Sequence, residues 1–190
     1  MTTAKAEVRD GFKFRGGSPA LDLAATVVGR LGATPRDLLA TPADLDRWLV
    51  AAELVETGPG STDGNLVQAR LLREALYRLA LSRADRHALP DADREMLNGF
   101  AALPAAPLQL DASGRARLSG DVRGLLAELA REGVSLLGGD FGDRIRQCEG
   151  PPCAVLFVDT SRKGDRRWCS MSACGNKAKV AGFRERERSS

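Results

Sequence analysis

The stretch RQCEGPPCAVLFVDTSRKGDRRWCSMSACGNKAKV, Arg146 to Val180, holds all four cysteines of a 190-residue chain. They fall as two close pairs, Cys148 with Cys153 and Cys169 with Cys174, each a C-x4-C, with 15 residues between the pairs. Two such pairs separated by one hairpin length suit a tetrahedral zinc ion held by four thiolates. AVLFV at 154–158 reads as a strong strand, TSRKGD as a turn and RRWC as a returning strand. A β-hairpin built this way brings Cys169 and Cys174 back to Cys148 and Cys153. Ser172 is the expected cap of a final helix, which places Cys174 in a first turn where free N–H groups favour negative charge. Four sulfurs close the coordination shell, so the zinc is expected to be single and structural. Two disulfides remain an alternative suited to an exported protein, and iron is an alternative better suited to tighter C-x-x-C loops.

Charge follows the cysteines. Residues 1–143 carry 17 Lys and Arg against 20 Asp and Glu, whereas residues 144–190 carry 11 against 5. The basic quarter points to a polyanionic partner, and DNA is the one expected. The candidate phosphate contacts are Arg162, Lys163, Arg166 and Arg167 in the loop, and Lys177, Lys179, Arg184 and Arg188 on the final helix. Val180 and Phe183 are expected to turn the opposite face of that helix onto the hairpin.

Upstream, the periodicity is helical. Ser18-Pro19 opens a first helix through Leu31, stopped by Gly32. Thr41-Pro42 opens a second, with Leu45, Trp48, Leu49 and Ala52 on one face. A third runs from about 64 to about 87, with Leu72, Ala75, Leu76 and Leu79 inward. A short fourth follows LPDA, and Asp121 caps a fifth that ends at Gly138-Gly139. Leu108–Leu110 and Ala116–Leu118 alternate as a β-hairpin, and FKF at 12–14 reads as a short extended piece. The expected fold is mainly α: a helical N-terminal domain over 10–140 with a small β-hairpin, then a four-cysteine module over 145–188 made of a β-hairpin followed by a helix.

RRWCSMSACGNKAKV resembles the CGNR zinc-finger family. The motif reads Cys174-Gly175-Asn176-Lys177, with lysine where the family has arginine, so charge is kept but a forked guanidinium contact is not. Cys148 with Cys153, LFVDTSR and the Trp168–Met171 stretch match the same pattern. FKFRGGSPALDLAATVVGR resembles the opening of the ABATE family, a short aromatic strand followed by a Leu-Asp-x-x-x-Thr helix. That family often has asparagine where this chain has Ala25. The joint resemblance implies a bacterial, stress-responsive transcription regulator that binds DNA through a zinc finger, its helical domain sensing a small molecule or a protein partner. The alternative is an adaptor whose zinc module docks on another protein.

No catalytic motif is present, and a non-enzymatic role is expected. His87 is the sole histidine and reads as a surface residue; Asp22 and Arg30 read as solvent-facing. GPGSTDG lacks the ending of a phosphate loop. No apolar run approaches the roughly 18 residues of a membrane span and no secretory signal opens the chain, so a cytoplasmic location is expected. The sequence is silent on oligomeric state.

Overall fold

The computed structural model describes residues 7–188; in its last helix the side chains of residues 182, 183 and 185–188 lie outside the described residues. The chain begins with a hairpin of β1 (Val8–Arg9) and β2 (Phe12–Lys13), turned by Gly11 at φ +80°. Helix α1 (Pro19–Ala24) follows, then a second hairpin, β3 (Val27–Val28) with β4 (Arg36–Asp37). Next come α2 (Pro42–Ala51), α3 (Asp63–Ala84) and α4 (Asp91–Ala101), and a third hairpin, β5 (Leu108–Leu110) with β6 (Ala116–Leu118). After α5 (Val122–Gly138), β7 (Ile145–Gln147) pairs antiparallel with β8 (Leu156–Val158), and α6 (Asn176–Arg188) ends the fold. This is the mainly-α architecture with small antiparallel hairpins that the periodicity predicts.

Local chemistry sets the helix starts. Ser18, Thr41, Thr62 and Asp121 each cap through a side-chain oxygen. Thr41 with Asp44, and Thr62 with Asn65, form reciprocal capping boxes that satisfy two otherwise orphaned N–H groups each. The long α3 lies against α1, α2, α4 and α5 and supplies Leu72, Ala75, Leu76 and Leu79 to the core. Trp48 from α2 is fully buried there, as its apolar periodicity predicts.

The first helix is shorter than predicted. It stops at Ala24, and Leu31 is 63% exposed. Thr26, Val27 and Val28 are β-branched and disfavour a helix interior. Thr26 also turns its hydroxyl back to the Leu23 carbonyl at 2.7 Å, and its own carbonyl accepts Leu38 N–H, which starts the β3–β4 ladder.

Asp22 and Arg30 are not solvent-facing. Arg30 forms a two-pronged pair with Glu74, both bonds 2.8 Å, and lies over the Tyr77 ring. Asp22 is 8% exposed and accepts the backbone N–H of Gly16 at 2.8 Å. That contact fixes the Gly16-Gly17 turn, where a Cβ on Gly16 would sit 2.6 Å from Leu21 Cβ and Gly17 adopts φ +77°. An amphipathic count gives Asp22 a polar position; the turn folding back over the helix start is what buries it.

Burial pushes the Asp22 carboxyl up to about 6, against the opposing pull of the Gly16 and Arg15 N–H groups. The folded state therefore holds this proton more tightly than the unfolded chain, so Asp22 contributes most below about pH 4 and loses that contribution as pH rises through about 6. The wild-type chain is expected to lose roughly 2–3 kcal/mol across that window from this group alone. Asp22→Asn should remove that slope. Urea titrations of both proteins between pH 4 and 7 check it, and parallel pH profiles would refute the assignment.

Candidate metal centre and basic surface

Strand β8 is the wall on which the four cysteines are built. Leu156 and Val158 join the helical core with Ile145 of β7. The alternate residues Val155 and Phe157 face the other way, into a small cluster with Ala25, Cys148, Cys169 and Cys174. A strand buried on both faces carries apolar residues without alternation, as AVLFV does.

Its partner differs from the predicted one. β8 pairs with β7, which precedes Cys148, through Ile145↔Val158, Arg146↔Phe157 and Gln147↔Leu156. The first cysteine loop is thus the turn of this hairpin, closed by Cys148 N–H to Val155 O at 2.9 Å. The returning segment reaches it through a single backbone bond, Glu149 N–H to Arg167 O at 3.0 Å. IRQ was too short and polar to signal a strand, and RRWC mimicked one.

Asp159 shapes the loop between the pairs. It is fully buried, and its carboxylate accepts Ser161 N–H at 2.8 Å and Arg166 N–H at 2.9 Å. Burial opposes its ionisation, but the donors of Ser161 and Arg166 prevail and hold its carboxyl below the usual range. Sequence reasoning missed this residue, although Asp-Thr-Ser ahead of a glycine is the composition of a side-chain-stabilised turn. The second pair enters α6 through one wide turn, Met171–Gly175, capped by Ser170, not Ser172; Ser170 Oγ accepts Ala173 N–H at 3.3 Å. Ser170 also donates to Glu7 at 2.7 Å, which ties the second cysteine loop to the start of the chain.

The four sulfur atoms lie within 4.8 Å of one another. Cys153–Cys169 and Cys169–Cys174 are each 3.8 Å apart, and all four thiols are free. A tetrahedron with zinc–sulfur bonds of about 2.3 Å has edges of about 3.8 Å, so the donor set fits one structural zinc. The disulfide alternative does not fit free thiols at this spacing. Cys169 N–H donates to Cys148 Sγ at 3.4 Å, and Gly150 N–H adds to it. These donors suit a thiolate. Hydrogen bonds from Cys153 and Cys169 hold Cys148 far below the ordinary thiol range, while the same crowding pushes Cys153 up to about 11 and Cys169 higher. A divalent cation relieves that conflict by letting every sulfur ionise.

The predicted basic residues divide by their partners. Arg166 is turned inward: Nε donates to Trp168 O at 2.8 Å, Nη2 to Cys169 O, and the guanidinium lies over the Phe157 ring. Arg167 pairs with Glu149 and lies over the Trp168 ring. Arg162 and Lys163 are exposed at the loop tip, and Lys177, Lys179 and Arg184 are exposed on α6. None of these five has a side-chain partner among the described residues. The side chain of Arg188 lies outside the described residues, as does that of Phe183. Val180 does not pack on the hairpin; it is half exposed. His87 is exposed, as expected, at the end of α3.

Gly150 brings the first cysteine loop close against the second. A Cβ there would lie 3.0 Å from Cys174 Cβ and 3.4 Å from its sulfur. Gly150→Ala should keep all four thiols but press Cys174 out of position, and speed zinc transfer to a chelator about tenfold or more, measured with a chromogenic zinc indicator. Cys169→Ser should bind less than one zinc per chain and lose the near-ultraviolet signal of Trp168. A Cys169→Ser protein with full zinc content would contradict this centre.

No curated protein matches this chain significantly. Two family models do, in the order that the resemblances imply. The CGNR zinc finger covers residues 144–187, the segment that carries the four sulfurs. The ABATE model, described as "Putative stress-induced transcription regulator", covers residues 17–140, the helices and hairpins on which β8 is packed. The chain therefore belongs to the ABATE family and carries a CGNR zinc finger at its C-terminal end.

Proposed function

We propose that this protein is a transcription regulator in which Cys148, Cys153, Cys169 and Cys174 hold one zinc ion, the segment 145–188 engages DNA, and the helical unit 10–140 answers to a small molecule or a partner. The observation that carries the reading is the set of five cations, Arg162, Lys163, Lys177, Lys179 and Arg184, that have no side-chain partner among the described residues, beside a metal centre on a chain whose remaining three quarters are acidic. Free cations on a rigid support suit phosphate oxygens, which carry no sequence code. Arg166 supports the surface from within, since its fork holds the second cysteine loop. Arg167 stands at the edge with its charge shared by Glu149. Neither matched family model is described as an enzyme.

The adaptor reading has one observation in its favour: Met171 and Val180, both half exposed, present apolar surface beside the same centre. The ionic-strength dependence of binding separates the two readings.

Fluorescence anisotropy with labelled duplex DNA should show binding that weakens about tenfold or more per doubling of salt, because several counterions are released. Charge reversal of Arg162 and Lys163 together should flatten that dependence by about two phosphate contacts and leave zinc content at one per chain. Asp159→Ala, which changes no cation, should also weaken binding by disordering the loop. Absence of DNA binding near about 50 mM salt would overturn the regulator reading and favour the adaptor.

A further inference from the structure

A cleft of about 500 Å³ opens between the first cysteine loop, the start of α6 and the N-terminal hairpin. Its lining is mostly apolar, with Val28, Pro152 and Ala178 on different walls. Three cations stand among them: Lys13, Arg15 and Lys177. Arg15 is committed to Glu7 at 3.2 Å. The side chains of Lys13 and Lys177 have no partner among the described residues. Small-molecule sites have this size and this make-up, an apolar enclosure with a few placed polar groups.

We propose that the cleft binds a small monocarboxylate with a short apolar tail. The tail lies against Val28, Pro152 and Ala178, and the carboxylate sits between Lys13 and Lys177. A sugar–phosphate backbone would gain nothing from the apolar walls, and a neutral ligand would leave both ammonium groups unanswered. Cys153 and Cys174 share the lining, and a four-thiolate zinc centre carries a net negative charge, which disfavours a dianion more than a monoanion. Lys13 lies ahead of both matched segments and Lys177 within the zinc finger, so a bound carboxylate bridges the N-terminal hairpin to α6. This gives the ligand-sensing half of the proposed function a place and a ligand class, and it rests on that half. It places the sensing site at the junction of the helical unit with the zinc finger.

Calorimetric titration of the zinc-loaded full chain with octanoate, with octanamide as the neutral control, tests the site. Octanoate should bind at least about tenfold more tightly than octanamide. Lys13→Ala and Lys177→Ala should each weaken octanoate about tenfold, the value of one charge-assisted contact. Ala178→Trp should fill the cleft and abolish binding while zinc stays at one per chain. Lys13→Glu, on the N-terminal hairpin, should do the same. Equal binding of the two probes, or octanoate binding that survives Ala178→Trp and Lys13→Glu, would overturn the proposal. Lysine variants that weaken DNA but not octanoate would also overturn it and assign these cations to phosphate. If octanoate fails to bind while another metabolite still shifts DNA affinity, the cleft assignment falls and sensing stands; if no metabolite does so, both fall.

Discussion

The two-sided burial of Val155–Val158 is the constraint on which the metal centre depends. A two-stranded hairpin of three-residue strands is marginal by itself in water. Here Leu156 and Val158 are enclosed by the helical core and Phe157 by the cysteine cluster. Each such side chain contributes roughly 1.5–3 kcal/mol of apolar burial. The strand is therefore held by the helices whether or not metal is present, and it presents Cys148 and Cys153 from a fixed base. The second pair lies off this strand, packed with Val155 and Phe157 on its outer face and held by the Arg166 fork and by Ser170 to Glu7. A zinc ion would thus join two loops that are already brought together, which lowers the ordering cost of the whole centre.

Polar ties complete what the shared strand begins. Val158 N–H donates to Gly16 O at 2.8 Å, so the strand edge is anchored by the same turn that buries Asp22. Gln147 reaches Tyr77 on α3 at 3.3 Å, one residue ahead of the first cysteine. Behind Tyr77 lies a chain of ion pairs: Arg30 forked to Glu74, Arg73 Nε to Glu74, and Arg73 forked to Asp37. Arg73 is 4% exposed, and its buried charge is answered by the carboxylates of Glu74 and Asp37. Such a network adds little net stability but admits only one seating of β3–β4 on α3. That seating places Ala25 against the cysteine cluster and Val28 in the wall of the adjoining cleft. At position 25 the small side chain lets α1 approach the metal centre closely.

The helices were legible because each carries its own start signal and a single apolar stripe; α2, α3 and α5 need no long-range information to be placed. The four sulfurs were legible because metal geometry constrains spacing more tightly than any helix does. The strand pairing was not, since register depends on which neighbour offers a complementary edge, and a polar IRQ betrays nothing of that. The end of α1 was missed because Leu31 keeps helical spacing by coincidence, while three β-branched residues between it and Ala24 carry the real signal. Asp22 and Arg30 were misplaced for a different reason. A polar residue on an amphipathic helix faces water only if no turn or neighbouring helix covers it, and both are covered.

Charge in the zinc-finger segment is not a uniform coat. The centre carries a formal charge of about −2 once four thiolates hold a divalent ion. Arg166 answers it from inside, against the carbonyls of Trp168 and Cys169, and so becomes part of the scaffold. Arg144 and Arg146 are likewise spent, donating to the carbonyls of Asp159, Ser161, Asp143 and Ile145. Among the described residues, what remains outward without a partner follows by elimination. Arg162 and Lys163 are held at the tip of a loop that Asp159 stiffens, and Lys177, Lys179 and Arg184 are carried on the helix that follows the second cysteine loop. A side chain's availability for phosphate or carboxylate is therefore set by backbone groups it does not touch. The same arginine-rich sequence with a different loop path would expose a different subset of its charges.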